Sequence, residues 1–303
     1  MRLTERLSCV RRGWTPLRRL HPGNVAWAAA GGDGRPPPDA VLAWGSPLWG
    51  FADVWRSAET AEAVVHIAPD ATPAQRAAAI DELLRVAPRV TVDVSRQERA
   101  LVDALIDRGF HEADGPWYAQ LWRDLSDVSG LAACPVAAGY TIRPVGPADL
   151  AERVAVHRRS WAPARIREMP GRTDDAKSPS PCGDESSYSA GKHRAVQASP
   201  LYRADLDLVA VASCGEFAAY ALGWLDSATG SVLFEPVGTD PRHARRGLGR
   251  AVCAEILRVA RDLGATQAVV GLRGDDGYPV PLRLYAGLGM REVAQFVPLA
   301  TSA

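Results

Sequence analysis

In the second half of the chain, apolar positions switch between the two-residue period of strands and the three-to-four-residue period of helices. Residues 140–145 read as a short strand, and 147–161 as a helix with Leu150, Val154 and His157 at i, i+4 and i+7. A second helical segment surrounds Arg194, and residues 206–212 read as a buried strand. Residues 217–225 and 231–238 are predicted to pair as a hairpin across the turn that holds Asp226 and Gly230. From Gly247 a helix runs to Leu263, with Val252, Ile256, Val259 and Leu263 on one face and Gly264 as its stop. A parallel strand at 267–272, a helix over about 280–288 closed by Gly289, and a last strand or pair follow.

The first half repeats the end of this order. Residues 64–68 read as a strand, after which Thr72, Pro73 and Gln75 form a T-x-x-Q capping box for a helix whose Ile80, Leu83 and Leu84 share a face. Residues 89–94 are the next strand. Ser95 with Glu98 is predicted to cap a helix that carries Leu101, Leu105 and Ile106 and stops at Gly109, and 117–125 is strand-like. Aligning Gly109-Phe110 with Gly289-Met290 superposes strand, helix, strand, helix, strand, the trace expected of a duplicated domain. Between the copies, small residues with Gly and Pro mark a linker at 129–139, which divides the chain into domains 1–128 and 140–303. A second irregular stretch, 170–192, is polar and rich in Ser, Pro and Gly, and is predicted to be a long loop inside the second domain.

A length of 303 residues suits two cores. Hydrophobic residues at 47% and charged residues at 23% exclude a disordered, collagenous or coiled-coil chain. Thirty-five basic residues balance 35 acidic ones, which argues against a nucleic-acid or membrane-surface partner and makes any anion site local. No apolar run nears the roughly 20 residues of a membrane span, and the Arg-rich start lacks the apolar core of a secretory signal, so a cytoplasmic location is expected. Cys9, Cys134, Cys182, Cys214 and Cys253 are scattered, with no CxxC and no histidine at ligand spacing. Free thiols and no metal are expected.

The segment that carries chemistry is Val237-Gly-Thr-Asp-Pro-Arg-His-Ala-Arg-Arg-Gly-Leu-Gly-Arg250, a strand end and Gly-rich turn that open a long helix. Gly247 and Gly249 let backbone approach a ligand, first-turn N–H groups lack intrahelical partners, and the helix dipole adds positive potential there. Arg242, Arg245, Arg246 and Arg250 supply further charge, so a pyrophosphate fits. The competing reading is a plain helix start with a solvated basic face. A dinucleotide G-x-G-x-x-G fails because position 252 is Val, and a Walker loop fails for want of Gly-Lys-Ser or Gly-Lys-Thr.

D-P-R-H-A-R-R-G-L-G-R-A at 240–251 and L-R-L-Y-A-G-L-G-M at 282–290 resemble the paired motifs of the GNAT superfamily of acetyl-CoA-dependent N-acetyltransferases. The resemblance spans about residues 140–299 and implies an α/β, α+β-layered fold. Each of two tandem domains would be a mixed, mostly antiparallel sheet flanked by helices. Ala244 stands where the family has Arg or Gln, and Tyr278 where it has an asparagine. Asp70-Ala-Thr-Pro-Ala replaces the Gly-rich turn in the first copy and Leu105 replaces Tyr285, so that copy is degenerate, an arrangement similar to mycothiol synthase relatives.

The resemblance further implies acetyl-CoA as the donor, without a metal. Main chain of Val237, Gly238 and Thr239 would hold its pantetheine, and Arg245, Arg246, Gly247, Leu248, Gly249 and Arg250 its pyrophosphate. Tyr285 falls where the family places the proton donor; the alternative is a core aromatic with a satisfied hydroxyl. Glu235 is the candidate base, sharing a strand face with Leu233 and Val237; the alternative is a strand-edge carboxylate that positions substrate or pairs with an arginine. The implied activity is direct transfer of acetyl to an amine of a small molecule or a protein, by a monomer or homodimer. A non-catalytic acyl-CoA sensor or regulatory module is the alternative from another class. Trp161, Tyr188, Tyr220 and Trp224 are candidates to line the acceptor pocket or to fill the core, and the 170–192 loop is expected to cover the acceptor mouth, the alternative being a disordered insertion with no role.

Overall fold

A computed structural model describes residues 1–162 and 186–302. The chain begins with α1 (Leu3–Arg11) and α2 (Pro22–Ala29), followed by β1 (Ala40–Trp44), β2 (Gly50–Arg56) and β3 (Ala61–Ile67). Then come α3 (Pro73–Val86), β4 (Val90–Ser95), α4 (Arg99–Ile106), β5 (Phe110–Glu112) and β6 (Tyr118–Asp124). The second half runs through β7 (Tyr140–Pro144), α5 (Leu150–Ser160), α6 (Ala190–Gln197), β8 (Asp207–Ala212), β9 (Phe217–Asp226) and β10 (Ser231–Thr239). It continues with α7 (Leu248–Asp262), β11 (Gln267–Arg273), α8 (Val280–Ala286) and β12 (Arg291–Thr301).

All twelve strands join one mixed, mostly antiparallel sheet, in the order β1-β2-β3-β4-β12-β6-β11-β10-β9-β8-β7 with β5 beside β12. Two pairs are parallel, and both are short. β3 pairs with β4 only from Ala61–Val90 to Ala63–Val92, and β10 with β11 only from Ser231–Gln267 to Leu233–Val269. Beyond those residues each pair opens into a fork, so the predicted repeat is visible as a repeated geometry. The halves also exchange strands: β6 lies along β11, with Leu121 opposite Val270, and β12 lies along β4, with Val297 opposite Val94. Segments 1–128 and 140–303 therefore contribute to a single sheet.

Alternation sorts the side chains of β11 to opposite faces. Ala268, Val270 and Leu272 pack with Val252, Ile256 and Leu257 of α7, whereas Val269 packs with Leu7, Val10, Val25 and Trp27 of α1 and α2. In the first half Ile80 and Leu83 of α3 and Leu101 and Leu105 of α4 cover Val65, Val92 and Val94. Thr72 and Gln75 form the predicted reciprocal cap, with N–H donors 2.8 and 3.2 Å from the two side-chain oxygens.

Three local expectations are corrected. Ile106 is 53% exposed rather than part of the α4 core face. Ser95 does not cap α4: its hydroxyl donates to the Leu17 carbonyl, while the Glu98 carboxylate is engaged by Arg18 and the Arg19 N–H. Of the predicted loop over 170–192, residues 170–185 lie outside the described residues, and Ala190–Lys192 already belong to α6, whose first turn is capped by the Ser189 side chain.

Beneath α5 and α6 lies a fully buried ion pair. Arg153 donates through Nε to Asp207 at 2.9 Å and lies over the Tyr220 ring at 3.9 Å, while its two terminal nitrogens meet no acceptor among the described residues. Removing the only counter-charge leaves a buried cation uncompensated. Asp207→Asn is expected to cost about 3–5 kcal/mol of unfolding free energy in urea. Asp205→Asn, which loosens the exposed Arg203 pair, should cost about 0–1 kcal/mol, and equal losses would contradict this account.

Candidate active site

β10 ends at Thr239, and Asp240 starts a short turn by accepting the Arg242 N–H at 2.9 Å. Asp240 is buried. Burial pushes its carboxyl up, but hydrogen bonds from Arg242 and Arg159 outweigh that and bring it down to about 2. Arg242 also reaches Glu216, just before β9, at 2.7 Å, so two carboxylates engage this arginine. His243 is tied down likewise, its Nδ1 2.9 Å from the Tyr140 hydroxyl, which accepts from Arg246 at 2.8 Å.

After the turn the backbone passes through the left-handed region twice, at Arg245 (φ 64°) and Gly247 (φ 75°). The consequence is a row of main-chain donors. From Arg245 to Arg250 no N–H is taken by an acceptor among the described residues, and the row ends on the first turn of the 15-residue α7. Arg245, Arg246, Gly247 and Arg250 are exposed around it. Gly249 is buried, and a Cβ there would come 3.0 Å from Thr239 Oγ1 and 3.3 Å from Leu284 Cδ1. Free N–H groups, the positive end of a helix and three exposed arginines form a donor set that fits a pyrophosphate.

Beside this cradle β10 and β11 diverge, and no hydrogen bond joins them beyond Leu233–Val269 among the described residues. β10 also slips against β9 between Phe234 and Val237. The slip corrects the predicted alternation. Leu233 packs towards α2, but Val237 packs with the α7 side and so does not share the face of Leu233. Val237, Gly238 and Thr239 are half-buried along the fork. A Cβ on Gly238 would overlap Ser160 Cβ and Tyr220 Cε1, both at 2.7 Å, so glycine is required there.

Glu235 sits at the slip, half-buried, with its carbonyl accepting the Trp224 indole N–H at 2.6 Å. Its carboxylate makes no ion pair among the described residues. Burial pushes this carboxyl up to about 7, and the Asp33 carboxylate adds to the effect while Arg19 opposes it. Tyr285, on α8, is 5% exposed, with its ring 5.8 Å from that of Phe234. Its hydroxyl has no hydrogen-bond partner among the described residues. Burial raises the phenol, and Cys253 and Glu235 raise it further. The fork thus has near it a carboxyl raised to about 7, able to accept a proton, and a phenol that keeps its proton and can give one.

Part of the surroundings of the fork comes from the first half, which the residue pattern does not reveal. α2 lies over β9 and β10, placing the Trp27 ring 6.4 Å from Trp224 and 5.9 Å from Tyr188. Asp33 follows in the turn Gly31-Gly32-Asp33-Gly34, where a Cβ on Gly34 would contact Ser187 Oγ at 3.5 Å. That glycine-rich turn is the only signal of it in the sequence. Tyr188, Tyr220 and Trp224 prove to be core residues, and Trp161 is 40% exposed.

No protein-family model matches the chain, and no curated protein is significantly similar to it in sequence. Solved structures are similar in fold. One is a tandem GNAT protein from the clavulanic acid biosynthesis pathway, 16% identical, with a TM-score of 0.62 over 99% of this chain and 94% of that one. A GCN5-related N-acetyltransferase from Sphaerobacter thermophilus is 17% identical, with a TM-score of 0.53 over 99% and 91% of the two chains. Another, from Kribbella flavida, is 20% identical, with a TM-score of 0.52 over 92% and 95%. The open fork, the Gly-rich helix start and these likenesses agree: the chain has the fold of the GCN5-related N-acetyltransferases.

Proposed function

We propose that the chain is an acetyl-CoA-dependent N-acetyltransferase whose second half carries the site, with an amine of a small molecule as acceptor. The observation that carries this reading is the row of free N–H groups from Arg245 to Arg250 at the mouth of the β10/β11 fork. Gly247, Leu248 and Gly249, with the exposed Arg245, Arg246 and Arg250, would hold the pyrophosphate, and the main chain of Val237, Gly238 and Thr239 the pantetheine. When bound, acetyl-CoA supplies an acetyl thioester.

The chain's own groups manage protons. Glu235, ionised above about pH 7, accepts the proton that an ammonium must lose to become a nucleophile. Tyr285 stays protonated across the neutral range and holds its proton ready for a departing thiolate. Thiol release with acetyl-CoA and a panel of amines tests the proposal. Turnover with at least one amine is expected, whereas binding of coenzyme A with no turnover for any amine would favour the sensor. Tyr285→Phe should lower kcat by about 10²-fold and leave the coenzyme A Kd within about twofold. An unchanged kcat where chemistry limits the rate would return Tyr285 to a packing role.

A further inference from the structure

The first half has a fork of its own, between β3 and β4 beyond Ala63 and Val92, and it is not open. We infer that residues Leu17–Arg19 are its permanent occupant, filling the place that the second half leaves for a cofactor, so that the first half takes up no coenzyme A. The inference rests on reading the β10/β11 fork as a cofactor groove.

The segment is fastened to the ends of both strands. From β3, the carbonyl of its last residue, Ile67, accepts from the Arg18 guanidinium at 2.6 Å. From β4, the hydroxyl of its last residue, Ser95, donates to the Leu17 carbonyl. Just beyond β4 the Glu98 carboxylate receives Arg18 at 2.8 Å and the Arg19 N–H at 3.0 Å. Arg18 is 8% exposed and its bond to the Ile67 carbonyl is buried and shielded from water, whereas the bonds to Leu17 and Arg19 are part-buried and the Leu17 side chain faces solvent. A peptide carbonyl, a peptide N–H and a guanidinium thus satisfy groups that an extended amide-bearing ligand would otherwise meet.

The entrance also differs in its donors. Where the second half has free N–H groups and arginines, the first has Pro73, which has no N–H, and Thr72 and Gln75, which cap each other. Asp70 adds negative charge and pairs with Arg12 at 3.3 Å. Next to it Gly13 is packed so tightly that a Cβ would lie 2.4 Å from Pro69 Cγ. An incoming pyrophosphate would meet fewer free main-chain donors than in the second half, and a carboxylate.

Calorimetric titration of the full chain with coenzyme A, together with hydrogen exchange at the Arg19 amide, tests this. The expected result is one equivalent bound by the parent, none by Gly249→Trp, and equal Arg19 protection with and without saturating coenzyme A. Two equivalents in the parent, one equivalent remaining in Gly249→Trp, or loss of Arg19 protection on adding coenzyme A would overturn it. Should Gly249→Trp not fold, the parent stoichiometry and the exchange data decide. No binding to the parent would sink the proposed activity yet agree with a filled first fork, so the two failures are distinguishable.

Discussion

Gly249→Trp is expected to abolish coenzyme A binding, with affinity falling at least about 10²-fold, roughly 2.7 kcal/mol. Gly249 is the buried floor of the cradle, where even a methyl group would press on Thr239 and Leu284, so an indole has to displace those side chains or occupy the anion's place. In the proposed reading either outcome removes several donors at once, because the N–H groups from Arg245 to Arg250 would bind one ligand. Circular dichroism separates local obstruction from misfolding. The companion Arg245→Glu/Arg250→Glu changes only exposed side chains and should weaken binding by about 10-fold, more at low salt than at high. Calorimetry giving the parental Kd for both proteins would refute the cradle.

Glu235→Gln should lower kcat by about 10²–10⁴-fold with at least one acceptor amine, the scale of general base help. In the parent, kcat/KM should rise with pH through about 7 as the carboxyl ionises, and this step should vanish in the variant. Stability moves the other way. Folding raises this carboxyl from its ordinary 4.5, so the stability it contributes is complete below about 4.5 and is lost as pH rises through about 7. The glutamine protein should therefore melt above the parent at pH 8, by a margin that shrinks towards pH 5. A variant that keeps its turnover while gaining stability would show that Glu235 is merely an ill-placed carboxylate.

The second half was legible because its signals are local: α7 has a strongly one-sided apolar face, glycines at its start and Gly264 after its end. The first sixty residues carry no such signal. Arg6 and Arg11 in α1 and Arg12 just after it break the apolar pattern, and their partners Asp53, Asp226 and Asp70 are distant in sequence. β2 is buried on both faces from Gly50 to Val54, so it shows no alternation. Ser95 and Glu98 look like a helix cap, but Arg18 and Leu17, far away along the chain, claim their side chains. At the site, residue types pointed to Glu235, Tyr285 and the Gly-rich turn, whereas the slip at Pro236 and the Asp240–Arg242 clamp needed the folded chain. Asp33 and Trp27 could not be assigned to this site from sequence because it lies in the other half.

The exchange of β6 and β12 has a bearing on biosynthesis. β12 is farther along the chain than any other strand, yet it occupies the middle of the sheet, between β4 and β6. A nascent chain thus exposes β4 and β6 to solvent for as long as the second half is being made, and the first half cannot finish folding ahead of the second. Pairing Val94 with Val297 closes a long loop, which favours slow folding and dependence on chaperones. A stop codon just before Arg291 would leave the candidate site residues intact in sequence. The truncated protein would nonetheless present two bare strand edges at its centre, each a template for another copy to pair with.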